Sequence, residues 1–356
     1  MTEAPPPSSQ SIDRLVIRAP NWLGDAVLAL PAMAAVRAQF ADAEITIAAP
    51  AGIAALFREH TIARPNRVLD LTDKHSEVTA ALRNGGFDAC LLLPNSFRAA
   101  WQARRAGIPH RWGFGTANRR WLLTRVSRKP ARGEARHQAD YYRALVRGLD
   151  IPCDQAPEAA LPLVRPTSSS VARADTLLRQ HGWSDGDPFL AMLPGAAYGQ
   201  AKQWPADRMA DTAARLARDR NLCCVLLGAS HDTPAARAIE SWLRAHAPEQ
   251  AGRVIDLVGR TSLGALAGVL DRAVVCISND SGGMHLAAAL GRPVVAIFGP
   301  TDEQATAPLG RHTVLVEPVF CRPCQLRDCP IDHRCMKRIS VQRVLDAVAA
   351  RLEPIS

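Results

Sequence analysis

Three short stretches combine a reactive side chain with the small residues that let a backbone pass close to a ligand. In Ala19-Pro20-Asn21-Trp22-Leu23-Gly24-Asp25, glycine permits a tight turn and Asp25 lands at or beside the start of a helix. Two roles are open to that carboxylate: capping the helix, or accepting a proton from an attacking hydroxyl. In Pro194-Gly195-Ala196-Ala197-Tyr198-Gly199-Gln200-Ala201-Lys202-Gln203-Trp204-Pro205, small residues allow close approach to a diphosphate and Lys202 supplies a mobile cation. Pro205 suits the first turn of a following helix. In Ser278-Asn279-Asp280-Ser281-Gly282-Gly283-Met284-His285 an apolar run opens into an Ala-rich helix, so free amides and the positive end of a helix dipole form an anion site. There Ser281, Gly282 and Gly283 can present N–H groups to a pyrophosphate. Asp280 would repel an adjacent phosphate, so it meets a sugar hydroxyl or orients the loop. His285, one turn in, points either to the ligand or into its own core.

A nucleotide also needs its ribose held. Leu227-Gly228-Ala229-Ser230-His231-Asp232 ends another apolar run, and Asp232 is suited either to ribose hydroxyls or to capping the next helix. Near the C-terminus, Cys321, Cys324, Cys329 and Cys335 crowd together with His333. A structural zinc site, free thiols and disulfides are all open readings, the last disfavoured in a cytosolic chain.

The elements that must position these residues alternate between short apolar runs and longer helical patterns, which is the signature of βαβ units and parallel sheets. Strands are expected at Arg14–Arg18, Glu44–Ala48, Arg67–Leu71 and Ala89–Leu93, with a helix from near Asp25 to Phe40. A second series is expected at Phe189–Leu193, Cys223–Gly228, Val254–Leu257, Val274–Ser278, Val294–Phe298 and Thr313–Val316. Its helices are expected at Ala206–Ala217, Ala235–Ala245, Leu263–Leu270, Gly283–Leu290 and Val341–Leu352. The Pro-, Ala- and Ser-rich stretch Ala156–Ser170 reads as a linker. The expected organisation is a disordered leader (1–11), an N-terminal Rossmann-like domain (12–165), a second such domain (166–340), and a C-terminal helix and tail (341–356). Ligands of such sheets bind beyond the carboxyl ends of the strands, where the reactive loops lie.

At 356 residues, 47% hydrophobic and 22% charged, the chain is long enough for two cores and too mixed for a disordered tail. Its longest apolar stretches, such as Ala273–Ile277 and Pro293–Phe298, fall far short of the roughly 20 residues of a membrane helix. The start, Met1–Gln10, has neither the basic residues nor the apolar run of a secretory signal, which points to the cytoplasm. The formal charge of +9 favours an acidic partner. Much of it sits in one segment, where Arg98, Arg104, Arg105, Arg111, Arg119, Arg120, Arg125, Arg128, Lys129, Arg132 and Arg136 are opposed only by Glu134. That segment is either a solvated basic face or an anion-binding surface. With 5% aromatics and no zinc-finger, helix-turn-helix or RNA-binding signature, a nucleic-acid-binding protein carrying a zinc cluster is the weaker class.

Taken together, APNWLGDAVLALPA, LPNSFRAA at Leu93–Ala100, PGAAYGQAKQWP, SNDSGGMHLAAALG and CRPCQLRDCPIDHRCM resemble the lipopolysaccharide heptosyltransferase II group of glycosyltransferase family 9 over nearly the whole chain from about Arg14. The resemblance implies an α/β fold of GT-B type: two facing, doubly wound Rossmann-like domains with an interdomain cleft, the first for the acceptor and the second for the nucleotide sugar. It implies inverting transfer of L-glycero-D-manno-heptose from ADP-heptose to the first heptose of a Kdo-lipid A acceptor, with no metal required for catalysis. On these terms Asp25 is the general base and Lys202 the diphosphate ligand. Gly195, Asp232, Asp280, Ser281, Gly282, Gly283 and His285 serve the donor. Asn95, Ser96 and Arg98 serve the acceptor, with Arg119 and Arg120 of the basic segment beside them. Thr116 stands where relatives often carry an acidic residue, after the glycine equivalent to Gly115. The basic segment would meet the anionic inner leaflet, placing the protein peripherally on the cytoplasmic face of the membrane. Heptosyltransferase I or another GT-B sugar-nucleotide transferase is the alternative within enzymes, and a non-catalytic sugar-nucleotide sensor is the alternative outside them.

Overall fold

The computed structural model describes residues 12–131, 133–153 and 162–352. The expected leader (1–11), Arg132 and residues 156–161 of the expected linker lie outside them, and the last linker residues, Ser168 to Ser170, open a helix, Ser168–Gln180. The chain divides into two compact units between Leu163 and Val164.

The first unit is a parallel sheet of β1 (Arg14–Arg18), β2 (Glu44–Pro50), β3 (Arg67–Leu71), β4 (Ala89–Leu92), β5 (His110–Phe114) and β6 (Arg125–Ser127). The second repeats the plan with β7 (Phe189–Leu193), β8 (Cys223–Leu226), β9 (Val254–Asp256), β10 (Val275–Asn279), β11 (Val294–Phe298) and β12 (His312–Val316). The spatial orders are β3-β2-β1-β4-β5-β6 and β9-β8-β7-β10-β11-β12, so both sheets have the Rossmann order, 3-2-1-4-5-6, with every pairing parallel. In each, the order reverses between the first and fourth strands. A crevice opens there beyond the strand ends.

The apolar runs form strands because parallel strands covered on both faces need no polar alternation. All five residues of β7 and of β11 are buried. The expected strands agree with those observed within two residues at each end. Strands β5 and β6 were not expected. They lie inside the Arg-rich segment, where His110, Arg111 and Arg125 obscure the pattern, yet Trp112, Gly113 and Phe114 are buried.

The long helix expected from near Asp25 is two: Leu23–Leu28 and Leu30–Gln39. Pro31 lacks the N–H that would bond back to Val27, and the helix restarts around it. The helix Val341–Leu352 buries Val344, Ala347 and Val348 in the core of the second unit, together with Leu190, Ile277, Ile297 and Trp204. Among the described residues no helix is long and apolar enough to cross a membrane.

Trp204 locks this core to the loop before it. The ring is buried, its indole N–H donates to the Ile339 carbonyl at 3.1 Å, and its backbone N–H donates to Asn279 Oδ1 at 3.0 Å. Trp204→Ala should therefore cost the second unit about 3–5 kcal/mol in denaturant unfolding; a loss below about 1 kcal/mol would refute a structural role for the ring.

Candidate functional site

In the first unit, the loops after β1 and β4 border the crevice. Asp25 is the third residue of helix Leu23–Leu28, whose N-cap position is Trp22, with no side-chain cap. The capping reading of Asp25 is thereby replaced: its Oδ1 accepts a hydrogen bond from the Tyr142 hydroxyl at 3.2 Å. Tyr142 comes from the helix Gln138–Arg147. Burial, and then the neighbouring Asp25 charge, push its hydroxyl far above the usual tyrosine range. It therefore stays a proton donor to the carboxylate at any physiological pH.

The loop after β4 carries the expected acceptor residues, and they behave differently from one another. The Asn95 amide donates to the Tyr141 hydroxyl at 2.6 Å, while its Oδ1 accepts from Arg119 at 3.3 Å and from Thr116 at 3.4 Å. Thr116 thus supports Asn95. Ser96 is the N-cap of helix Phe97–Arg105, accepting from the Ala99 amide at 3.2 Å. Arg98 and Arg120 are exposed. Arg119, expected beside the acceptor residues, is fully buried and donates to the carbonyls of Phe114, Pro94 and Ser96. Burial lowers its pKa to about 10, still cationic at neutral pH. Its reach is inward, so it holds the Pro94–Ser96 loop rather than meeting a ligand.

In the second unit, the loops after β7 and β10 meet at the corresponding crevice. Lys202 Nζ lies 2.6 Å from Asp280 Oδ2, and the Thr301 hydroxyl donates to the same oxygen at 2.7 Å. Of the two readings of Asp280, orientation is the one realised: it holds the ammonium. Asn279, fully buried, ties the two loops, donating to the Pro194 carbonyl at 2.7 Å and accepting from Trp204 N–H. The helix Gly282–Ala289 starts at the crevice with Ser281 as N-cap, so the first amides of the helix lack intrahelical partners. Gly283 has a packing reason as well: a Cβ there would sit 2.1 Å from Leu193 Cδ2. His285 is buried in that helix.

Asp232 occupies the N-cap position of helix Thr233–His246 without capping it; its Oδ2 turns back to accept from the Ala229 amide at 2.9 Å. The carboxylate is buried against Gly195, where a Cβ would fall 2.0 Å from Asp232 Cγ. Gly195 and Asp232 are thus neighbours, though far apart in sequence.

Of the three readings of the cysteine-rich segment, the described residues show free thiols. Among the described residues no three His, Cys, Asp or Glu side chains are arranged to hold a metal ion, and all nine cysteines are free thiols. Cys335 faces the interior and its thiol is pushed up, first by burial and then by Cys321, Cys329 and Cys324 nearby. Cys329 Sγ is engaged by the His333 amide at 3.3 Å. Cys90, Cys153, Cys223, Cys224 and Cys276 are buried elsewhere. The segment instead braces the Lys202 loop. Tyr198 donates to the Gln325 carbonyl at 2.9 Å and the Ala201 amide to the Arg327 carbonyl at 3.0 Å. Arg322 reaches the Thr301 carbonyl and Glu303.

Replacing Tyr142 with Phe removes a donor to the charged form of Asp25. Donation to a carboxylate lowers its pKa, so its loss should move the acidic limb of the pH–rate profile upward, with little change in donor KM; an unmoved limb would remove Tyr142 from this role.

The profile of Glycosyltransferase family 9 (heptosyltransferase) matches residues 76–334. Lipopolysaccharide heptosyltransferase 2 of Escherichia coli K12 is 28% identical over 354 residues, covering 95% of this chain and 98% of that protein. The solved structure of E. coli ADP-heptose lps heptosyltransferase II superposes with a TM-score of 0.78 at 28% identity, covering 95% of this chain and 98% of that one. An E. coli heptosyltransferase solved with ADP shares the fold, with a TM-score of 0.68 at 20% identity over 95% of this chain and 99% of that one. Two Rossmann-like units of identical strand order, a match to the family profile over most of the chain and end-to-end likeness to its members have one meaning: the chain belongs to glycosyltransferase family 9, the heptosyltransferases.

Proposed function

We propose that this glycosyltransferase moves L-glycero-D-manno-heptose from ADP-heptose to the first heptose of a Kdo-lipid A acceptor in lipopolysaccharide core assembly, with inversion. The observation that carries the reading is the cradle of the second unit, where Lys202 is fixed by Asp280 directly before the amides that open helix Gly282–Ala289. Such a site suits a sugar diphosphate. The E. coli relative is by name a lipopolysaccharide heptosyltransferase, and that supports the choice of sugar and acceptor class.

The step is a single in-line displacement. Asp25 takes the proton of the acceptor hydroxyl as its oxygen bonds to the anomeric carbon; the bond from that carbon to the diphosphate oxygen breaks and ADP leaves with the electron pair. Lys202 and the amides of Ser281, Gly282 and Gly283 receive the charge growing on the diphosphate. Each pre-aimed donor of this kind contributes roughly 3 kcal/mol in comparable oxyanion sites. Asp232, beside Gly195, is the candidate for the ribose. Asn95, with Tyr141, Thr116 and Arg119 behind it, is the candidate for the acceptor, with Arg98 and Arg120 exposed nearby for its anionic groups. The acceptor is a lipid, so the enzyme works peripherally on the cytoplasmic face of the inner membrane, where each surface Lys or Arg gains about 1 kcal/mol from anionic lipid.

Mass-spectrometric detection of heptose transfer from ADP-heptose to a mono-heptosylated acceptor tests the reaction; transfer only to a heptose-free Kdo acceptor would assign the heptosyltransferase I reaction instead. Asp25→Asn should abolish turnover while leaving ADP affinity nearly intact, and undiminished turnover would remove the carboxylate as base. Lys202→Ala should lower kcat about 10²–10³-fold, far more than Arg98→Ala; equal effects would place the diphosphate elsewhere.

A further inference from the structure

The first unit carries an exposed aromatic cluster that the transfer chemistry does not use. Phe97 and Trp101 lie one turn apart on helix Phe97–Arg105 and stack with ring centroids 6.2 Å apart. Trp121, from the turn Arg120–Leu122, packs against both, at 6.1 Å from Phe97 and 6.2 Å from Trp101. Trp121 is 58% exposed and Phe97 42%. The helix buries its alanines, Ala99, Ala100 and Ala103, keeps Trp101 half-buried against the same core, and leaves Phe97 exposed. Two exposed rings packed on a half-buried third form an apolar patch that a soluble surface rarely tolerates without a partner.

The rim of the cluster is cationic. Arg104 lies over the Trp121 ring at 5.3 Å and Arg105 over the Trp101 ring at 6.0 Å. Neither these two nor Arg98 and Arg120 has a carboxylate within ion-pair distance among the described residues. Four other arginines of the segment are occupied elsewhere. Arg119 is buried, Arg111 donates to the carbonyls of Leu122, Ile108 and Pro109, Arg125 pairs with Asp150, and Arg128 pairs with Glu134. Of the described cations of the segment without an ion pair, which also include Lys129 and Arg136, Arg104 and Arg105 are placed directly over the rings.

We propose that Phe97, Trp101 and Trp121, ringed by these arginines, are the surface by which the enzyme docks on an anionic lipid bilayer. The rings enter the boundary between headgroups and acyl chains, and the guanidiniums meet lipid phosphates. Indole rings favour that depth, and clustered arginines favour an anionic leaflet. Two other occupants fit less well. A two-fold contact with a second copy would set arginine against arginine. A single-stranded nucleic acid needs open ring faces to stack on, and Arg104 and Arg105 cover two of them. The proposal rests on the reading of the acceptor as a membrane lipid and assigns that reading to particular residues.

The test uses the full chain with vesicles of phosphatidylcholine, with and without phosphatidylglycerol, read by co-sedimentation and by tryptophan emission. The wild type should bind the anionic vesicles with a blue shift. Trp121→Ala and Phe97→Ala should each weaken partition about tenfold. Arg104→Gln and Arg105→Gln should each weaken it about fivefold, an effect that high salt erases. Because Arg104 and Arg105 are exposed, their variants keep the test valid should a ring variant unfold. With a soluble, deacylated acceptor, Trp121→Ala and the arginine variants should turn over like the wild type, while transfer to vesicle-borne acceptor falls. Wild-type partition in every variant would overturn the proposal. So would a vesicle-independent change in sedimentation coefficient, which marks self-association, or a loss of oligonucleotide binding in its place. Vesicle binding that behaves as expected in an enzyme that transfers no heptose would instead sink the reading of the reaction and leave the docking surface standing.

Discussion

The second unit is organised around an ammonium and a carboxylate removed from water together. Lys202 and Asp280 are both largely buried, and stripping hydration from each costs several kcal/mol unless geometry restores it. A contact of 2.6 Å and the Thr301 hydroxyl on the same oxygen supply that geometry. The loop Pro194–Pro205 has to adopt the path that delivers Lys202 to Asp280, and Asn279, Trp204 and the segment around Arg322 and Arg327 all hold it there. A neutralised pair attracts a diphosphate less strongly than a lone ammonium would. What it gains is a cation already in position, which matters more for a transition state than for the encounter.

The same strand order in both units gives each a crevice between its first and fourth strands, and the two crevices are furnished differently. One holds a carboxylate supported by a buried phenol; the other holds a cation beside the opening of a helix. The repeated strand order thus carries two unlike sets of side chains through the loops alone, because side chains beyond the strand ends can vary without touching the sheets.

Much of the architecture was legible because buried parallel strands announce themselves as apolar runs. Phe189–Leu193 and Val294–Phe298 needed no structure to be found. Strand His110–Phe114 was hidden because Arg111 turns its guanidinium to carbonyls at the strand's edge, a destination that sequence does not reveal. Site residues were legible by type and position but not by partner. The loop of Asp25 drew attention by itself, but not its contact with Tyr142, since 117 positions separate the two; Lys202 and Asp280 were both singled out, but not their pairing across 78. Arg119 was counted with its neighbours because a charge run shows sign and not burial. The cysteine spacing left zinc, free thiols and disulfides open, and it gave no sign that the segment braces the Lys202 loop.

That brace also sorts the thiols by reactivity. Only a thiolate attacks an electrophile, and burial suppresses its formation: the Cys90 thiol is pushed up to about 12, and Cys224 and Cys276 are pushed up further for the same reason. Cys321, Cys324 and Cys329 are partly accessible, on the segment that carries the Lys202 loop. A maleimide or iodoacetamide dye would therefore label the native protein beside the Lys202 loop and spare the core, turning the sequence as it stands into an optical reporter on that loop without an engineered cysteine.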